Sequence, residues 1–184
     1  PVNVQGISGA TAITAGFSHT CAIVAGGAVK CWGDNFRGQL GNGTETSSPV
    51  PVDVQGLSGA IDIAAGTEHT CALVVGGTIK CWGYDYSGQL GSPATTRTGP
   101  DHNPYSSVPV AVNGVGTATA VSAGADSDHT CALIAGGVIK CWGRNDNGQL
   151  GNNSTADSRA AVDVWDVNGA TAVTAGGDHT CAIL

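Results

Sequence analysis

The residues able to do chemistry in this chain of 184 residues recur at equivalent positions. His19, His69 and His129 open HTCAIVAGGAVKCWG, HTCALVVGGTIKCWG and HTCALIAGGVIKCWG, and His179 opens a fourth copy that runs to Leu184. A catalytic nucleophile, base or metal set is unique and within mutual reach. A histidine repeated in every unit reads instead as a structural residue, hydrogen-bonded to neighbouring backbone. Trp32, Trp82 and Trp142 repeat in the same way and read as packing residues. Asp101 and His102 form the one nonrepeated His/acid pair, and adjacent residues of a strand point to opposite sides. No catalytic set results, so the chain is not expected to be an enzyme. Asp34-Asn35, Asp85 and Asn145-Asp146-Asn147 offer oxygens to a calcium ion, but no loop ends on the acidic residue a full calcium loop supplies. Turn formation accounts for them, and neither a metal nor a cofactor is expected.

Seven cysteines fall as Cys21/Cys31, Cys71/Cys81, Cys131/Cys141 and Cys181. Disulfides, buried free thiols and zinc are the three chemistries open to them. Zinc ligands usually come in close pairs, and no CxxC occurs here. The constant spacing of ten residues favours disulfides, hence an oxidising compartment, the cell exterior or cell surface. Cys181 has no partner at that spacing within the chain.

The element that must hold each pair is a β-hairpin. Cys21–Val24 and Val29–Cys31 flank Ala25-Gly26-Gly27, and a three-residue loop with glycine at positive φ would set Val24 opposite Ala28 and Cys21 opposite Cys31. Such opposed residues lie roughly 4.5 to 5.5 Å apart at Cα, within disulfide reach. Before each hairpin comes a segment of constant length, PVNVQGISGATAITAG, PVDVQGLSGAIDIAAG, PVAVNGVGTATAVSAG or AVDVWDVNGATAVTAG, expected to be interior framework. After it comes a polar turn ending in Gln-Leu-Gly, whose leucine is expected to tuck under the sheet. The extra ten residues between His69 and His129 fall as eight between Trp82 and Pro109 and two between Gly124 and His129. The eight-residue insertion therefore falls within Ser92–Ser107, a stretch that holds Arg97, Asp101, His102 and Tyr105.

Twenty-nine glycines, no methionine and few charges describe a turn-rich all-β chain. A net charge of -7 without a basic cluster argues against nucleic acid, and no apolar run is long enough for a membrane-spanning helix. A chain without an initiator methionine, ending inside a strand, is expected to be part of a longer protein.

A period of about 50 residues with some four short strands fits radial blades. The phrases AGxxHTCAL, GGxxKCWG, NxxGQLG and PVxV resemble the repeat of the regulator of chromosome condensation family, in its bacterial, cysteine-bearing form. The resemblance covers nearly everything outside the insertion. It implies a β-propeller with about three and a half blades present, part of a seven-bladed ring, with repeats at 1–50, 51–108, 109–160 and 161–184. Sequence outside the chain, or self-association with a second chain, would complete the ring. The family's eukaryotic namesake is a guanine nucleotide exchange factor; an acidic chain with disulfides argues against that activity. A plant ultraviolet-B photoreceptor of the family uses a tryptophan-rich motif absent here. A secreted bacterial propeller of similar repeats binds an enzyme through loops on one face. The expectation is accordingly a secreted or surface module that binds a protein or glycan through the variable loops after Trp-Gly. The alternative is a structural repeat of an adhesin or extracellular fibre. Candidate binding residues are Phe36, Arg37, Tyr84, Tyr86, Arg97, Asp101, His102, Tyr105 and Arg144, since aromatic residues with arginine compose binding hot spots.

Overall fold

The computed structural model describes residues 3–93, 97–98 and 103–184. Its regular structure is antiparallel β throughout, in four sheets that follow the repeat. The first contains β1 (Ala12–Ala15), β2 (His19–Val24), β3 (Ala28–Gly33) and β4 (Ser48–Asp53) in that order. The second contains β5 (Ala60–Ala65), β6 (His69–Val74), β7 (Thr78–Tyr84), β8 (Arg97–Thr98) and β9 (Pro104–Ala111), with β8 outside β9. The third runs β10 (Ala118–Ser122), β11 (His129–Ile134), β12 (Val138–Gly143) and β13 (Ser158–Asp163). The fourth pairs β14 (Ala172–Ala175) with β15 (Thr180–Ile183).

The hairpin takes the register its sequence dictates. Val24 faces Ala28, Ile23 faces Val29 and Cys21 faces Cys31. Gly26 and Gly27 adopt φ of 83° and 75°, the left-handed region where an L side chain is strained. All three cysteine pairs are disulfides, Cys21–Cys31, Cys71–Cys81 and Cys131–Cys141, with Cα atoms 4.0 to 4.1 Å apart. Cys181 is a free, exposed thiol.

The segment of constant length is more than buried strand. Pro51-Val52-Asp53 completes the first sheet as the end of β4, and an exposed turn then leads to β5. Its length is fixed because both ends are clamped: Gln55 N–H donates to Gly41 O and Ala60 N–H to Gly27 O, each at 2.9 Å. The insertion also differs from a plain loop. Its second half lengthens the outer strand as β9, with Tyr105 paired to Tyr84, and β8 adds a fifth strand. Tyr105 is consequently buried.

Neighbouring sheets are joined by one repeated device. His19 Nε2 meets Thr70 Oγ1 at 2.8 Å, His69 meets Thr130 at 2.8 Å and His129 meets Thr180 at 2.9 Å. The histidines are structural, but their partner is a threonine hydroxyl on the next sheet rather than backbone. Each threonine passes its proton on to a glutamine carbonyl: Thr70 to Gln39 at 3.2 Å, Thr180 to Gln149 at 2.8 Å. The indoles of Trp82 and Trp142 donate to Gln39 O and Gln89 O, at 2.8 and 2.9 Å, and both side chains are wholly buried. The leucines of Gln-Leu-Gly lie beneath, Leu40, Leu90 and Leu150 all fully buried. Ile23, Leu40, Val54, Ile63 and Trp82 form the core of the first seam; Leu73, Ile79, Leu90, Val121 and Trp142 form that of the second. At the corresponding place in the third seam is a cavity of about 360 Å³, lined by Gln149, Leu150, Gly151, Val164, Val167 and Thr180.

Burial holds the seam histidines neutral. Desolvation lowers His19 to about 4, against the opposing pull of the Asp34 carboxylate. It lowers His69 to about 3, helped by His19 and His129, and His129 to about 4. The ring of His69 also explains Gly66. A Cβ there would lie 2.0 Å from His69 Cε1 and 2.7 Å from the carbonyl oxygen of Ser127.

Candidate functional site

The up-and-down strand order puts two sets of loops on one side of every seam. These are the short turns before each histidine (16–18, 66–68, 124–128, 176–178) and the long loops after each Trp-Gly (34–47, 144–157 and, in the second sheet, the described stretch 85–93). The hairpin tips and the turns between sheets lie on the other side. The first side is called the loop face below.

At the seam of the first two sheets the loop face gathers five of the residues singled out by sequence. The Arg37 guanidinium lies 5.1 Å from the centre of the Tyr84 ring, a cation–π contact, while its Nε is 3.8 Å from Glu68. Tyr84 is also stacked with Tyr86, the rings parallel to within 8° at 6.2 Å between centres. Tyr86 stands in the turn that follows β7, which Gly88 N–H closes by donating to Asp85 O at 3.2 Å. Tyr105, opposite Tyr84 in the ladder, donates its hydroxyl to Glu45 at 2.5 Å and so ties β9 to the loop of the first sheet. Phe36 is 74% exposed, Tyr86 62% exposed, and Phe17 on the adjacent short turn 71% exposed.

The remaining candidates lie elsewhere. Arg144 belongs to the third sheet's loop, where it donates to Asp146 at 2.7 Å and pairs with Asp178 of the fourth sheet at 3.6 Å. The hydrogen bond to Asp146 raises the Arg144 pKa and depresses that of the exposed Asp146 carboxyl. Nearby Asp128 moves upward, mainly through desolvation. Arg97 contributes backbone pairing to Tyr105 through β8. Asp101 and His102 lie outside the described residues.

Anchoring residues were not visible from composition alone. Asn35 folds its loop from within: its amide donates to Thr44 O at 3.0 Å and Thr46 O at 3.1 Å, and its Oδ1 accepts from Leu40 N–H at 2.9 Å. Asn145 repeats this toward Ser154 O, Ala156 O and Leu150 N–H. The second sheet has Asp85 at that position. Its Oδ1 accepts from Leu90 N–H at 3.0 Å, as before, but its Oδ2 meets Arg159 of the third sheet at 3.0 Å. Arg159 also donates to Tyr86 O at 2.9 Å, fixing the backbone beneath the exposed ring. The signal available in the sequence was the single Asn-to-Asp change among three equivalent positions, coincident with the insertion. Among the described residues no cluster suited to a metal ion is present.

Models of the regulator of chromosome condensation (RCC1) repeat match the chain at residues 26–73 and 137–183 and, in a second version, at 10–39, 60–89 and 118–149. The ultraviolet-B receptor UVR8 of Arabidopsis thaliana is 32% identical over 173 residues, 93% of this chain and 38% of the relative. Among solved structures, Prp20p from Saccharomyces cerevisiae, characterised for its binding to Gsp1p and histones, matches with a TM-score of 0.83 at 21% identity. That match covers 96% of this chain and 44% of Prp20p. Yeast RCC1 (Prp20) bound to Kap60 matches with a TM-score of 0.82 at 21% identity, over 96% of this chain and 42% of the other. The chain thus spans less than half the length of these relatives.

Proposed function

The chain belongs to the regulator of chromosome condensation repeat family, and from that membership we propose that it is a protein-binding propeller module working through its loop face. One observation carries this reading: the Arg37–Tyr84–Tyr86 stack, built across a seam and flanked by exposed Phe36. Rigid aromatic rings with arginine supply contact area at low entropic cost, as hot spots do. The relatives named for partners, Prp20p with Gsp1p and histones and yeast RCC1 with Kap60, support protein as the ligand class. The three disulfides support an extracellular or cell-surface location.

The test places a photo-crosslinking amino acid at position 36 or 86 on the loop face, and at position 75 or 165 on the hairpin side. Specific protein adducts are expected from the first pair alone. Adducts from both pairs alike, or from 75 and 165 only, would overturn the reading.

A further inference from the structure

The loop face is chemically lopsided. Among the described residues every carboxylate except Asp53, Asp62, Asp163 and Asp166 belongs to it, whereas Lys30, Lys80 and Lys140 all stand toward the hairpin side. The described arginines of the loop face are already neutralised: Arg37 by Glu68, Arg144 by Asp146 and Asp178, Arg159 by Asp85. The face therefore presents net negative charge around exposed aromatic rings. A field of one sign speeds the encounter with a partner of the other.

Geometry adds a specific seat within that field. Tyr84 receives the Arg37 guanidinium and is stacked with Tyr86, which is 62% exposed. The Tyr86 backbone is held by Arg159, and Arg159 by the buried Asp85, so the terminal ring is presented on a fixed support. An aromatic face attracts a cation, and a planar guanidinium stacks on it best.

Resting on the loop-face reading above, we infer that the partner is a basic polypeptide segment, an arginine of which stacks on Tyr86 and extends the Arg37–Tyr84–Tyr86 series. Phe36 and Phe17 take the apolar side chains beside that arginine. The carboxylates of the face steer and orient the segment.

The test uses the oxidised chain and four labelled peptides of equal length, in which glycine alternates with arginine, lysine, glutamine or glutamate. Binding is read by fluorescence anisotropy at low and at physiological salt. The arginine peptide is expected to bind, the lysine peptide more weakly, and the other two not at all. Tyr86→Ala weakens the arginine peptide by about two- to fivefold, the range of an exposed cation–π contact. Tyr86→Phe restores it, because the ring is kept, and Lys80→Glu leaves it unchanged. Arginine binding that survives Tyr86→Ala and Phe36→Ala at full strength reflects bulk charge alone and overturns the inference, as does equal binding of the glutamine peptide. Preference for the glutamate peptide, lost in Tyr86→Ala, overturns the basic partner but leaves the loop face standing. Arginine binding abolished by Val75→Asp or Trp165→Ala, with Tyr86→Ala silent, removes the loop face itself.

Discussion

The loop after Trp-Gly in the first sheet and its counterpart in the second leave the same Trp-Gly and pass through the same Gln-Leu-Gly, yet they are anchored in opposite directions. Asn35 turns inward and satisfies carbonyls of its own loop. Asp85 turns outward and takes a cation from the next sheet. An amide suits the first because its NH2 group can donate to loop carbonyls, which a carboxylate would repel. A carboxylate suits the second because Arg159 is there to meet it. The central hairpin keeps one register in both sheets, while the second sheet also gains a longer outer strand and β8.

Both loops depend on the seam, and the largest effect should come from breaking it. Trp82→Ala removes a wholly buried indole and its bond to Gln39 O, and should cost about 3–5 kcal/mol in denaturant unfolding. Its effect should reach both loops, seen as loss of protection in hydrogen exchange at Gln39 and at the stack. Reducing one hairpin, by changing Cys71 and Cys81 to serine together, should cost about 3 kcal/mol in the chain-entropy account.

Acid should open the seams. The seam histidines are depressed below their ordinary 6.5, to about 4 for His19 and His129 and about 3 for His69. The neutral rings thus favour the fold fully above pH 6.5, and that contribution is lost as pH falls from 6.5 through about 4. Each tenfold depression of proton affinity is worth about 1.4 kcal/mol, so several kcal/mol should disappear in this window. Urea midpoints measured across it check the slope, and His69→Gln should flatten it.

A reciprocal exchange sharpens the comparison of the two loops. Asn35→Asp should cost roughly 2 kcal/mol, since the carboxylate faces carbonyls that an amide had satisfied. Asp85→Asn should cost less, roughly 1 kcal/mol, because Arg159 is half exposed and can turn to water. Equal costs in thermal melts would mean that the two anchors are interchangeable. The smallest effect is expected from Arg144→Gln, below about 1 kcal/mol, as its ion pairs are exposed.

What the sequence made legible was local. The hairpin register, Cys21 opposite Cys31 and Val24 opposite Ala28, follows from a loop of three residues, and the structure has that pairing. The buried leucines followed from the same reasoning. The partner of each histidine did not, because Thr70 lies 51 residues beyond His19 and nothing in either residue type names the other. Tyr105 was read as part of a variable loop, yet the pairing with Tyr84 draws it into a strand. Of the candidate cluster, residue types were legible but their convergence was not. Arg37 meets Tyr84, and Glu45 meets Tyr105, only because two sheets stack. Asp85 and Arg159, 74 residues apart, were invisible as a pair for the same reason.

Each disulfide joins two strands of one hairpin, and among the described residues none crosses a seam. Under mechanical tension the sheets would therefore peel from one another one at a time, seam by seam, while every hairpin stayed closed. The residues between Cys21 and Cys31 cannot lengthen until that bond is reduced, which withholds about ten residues, or roughly 35 Å of contour, per staple. A chain so built yields in shorter steps in an oxidising medium and in longer ones when reduced.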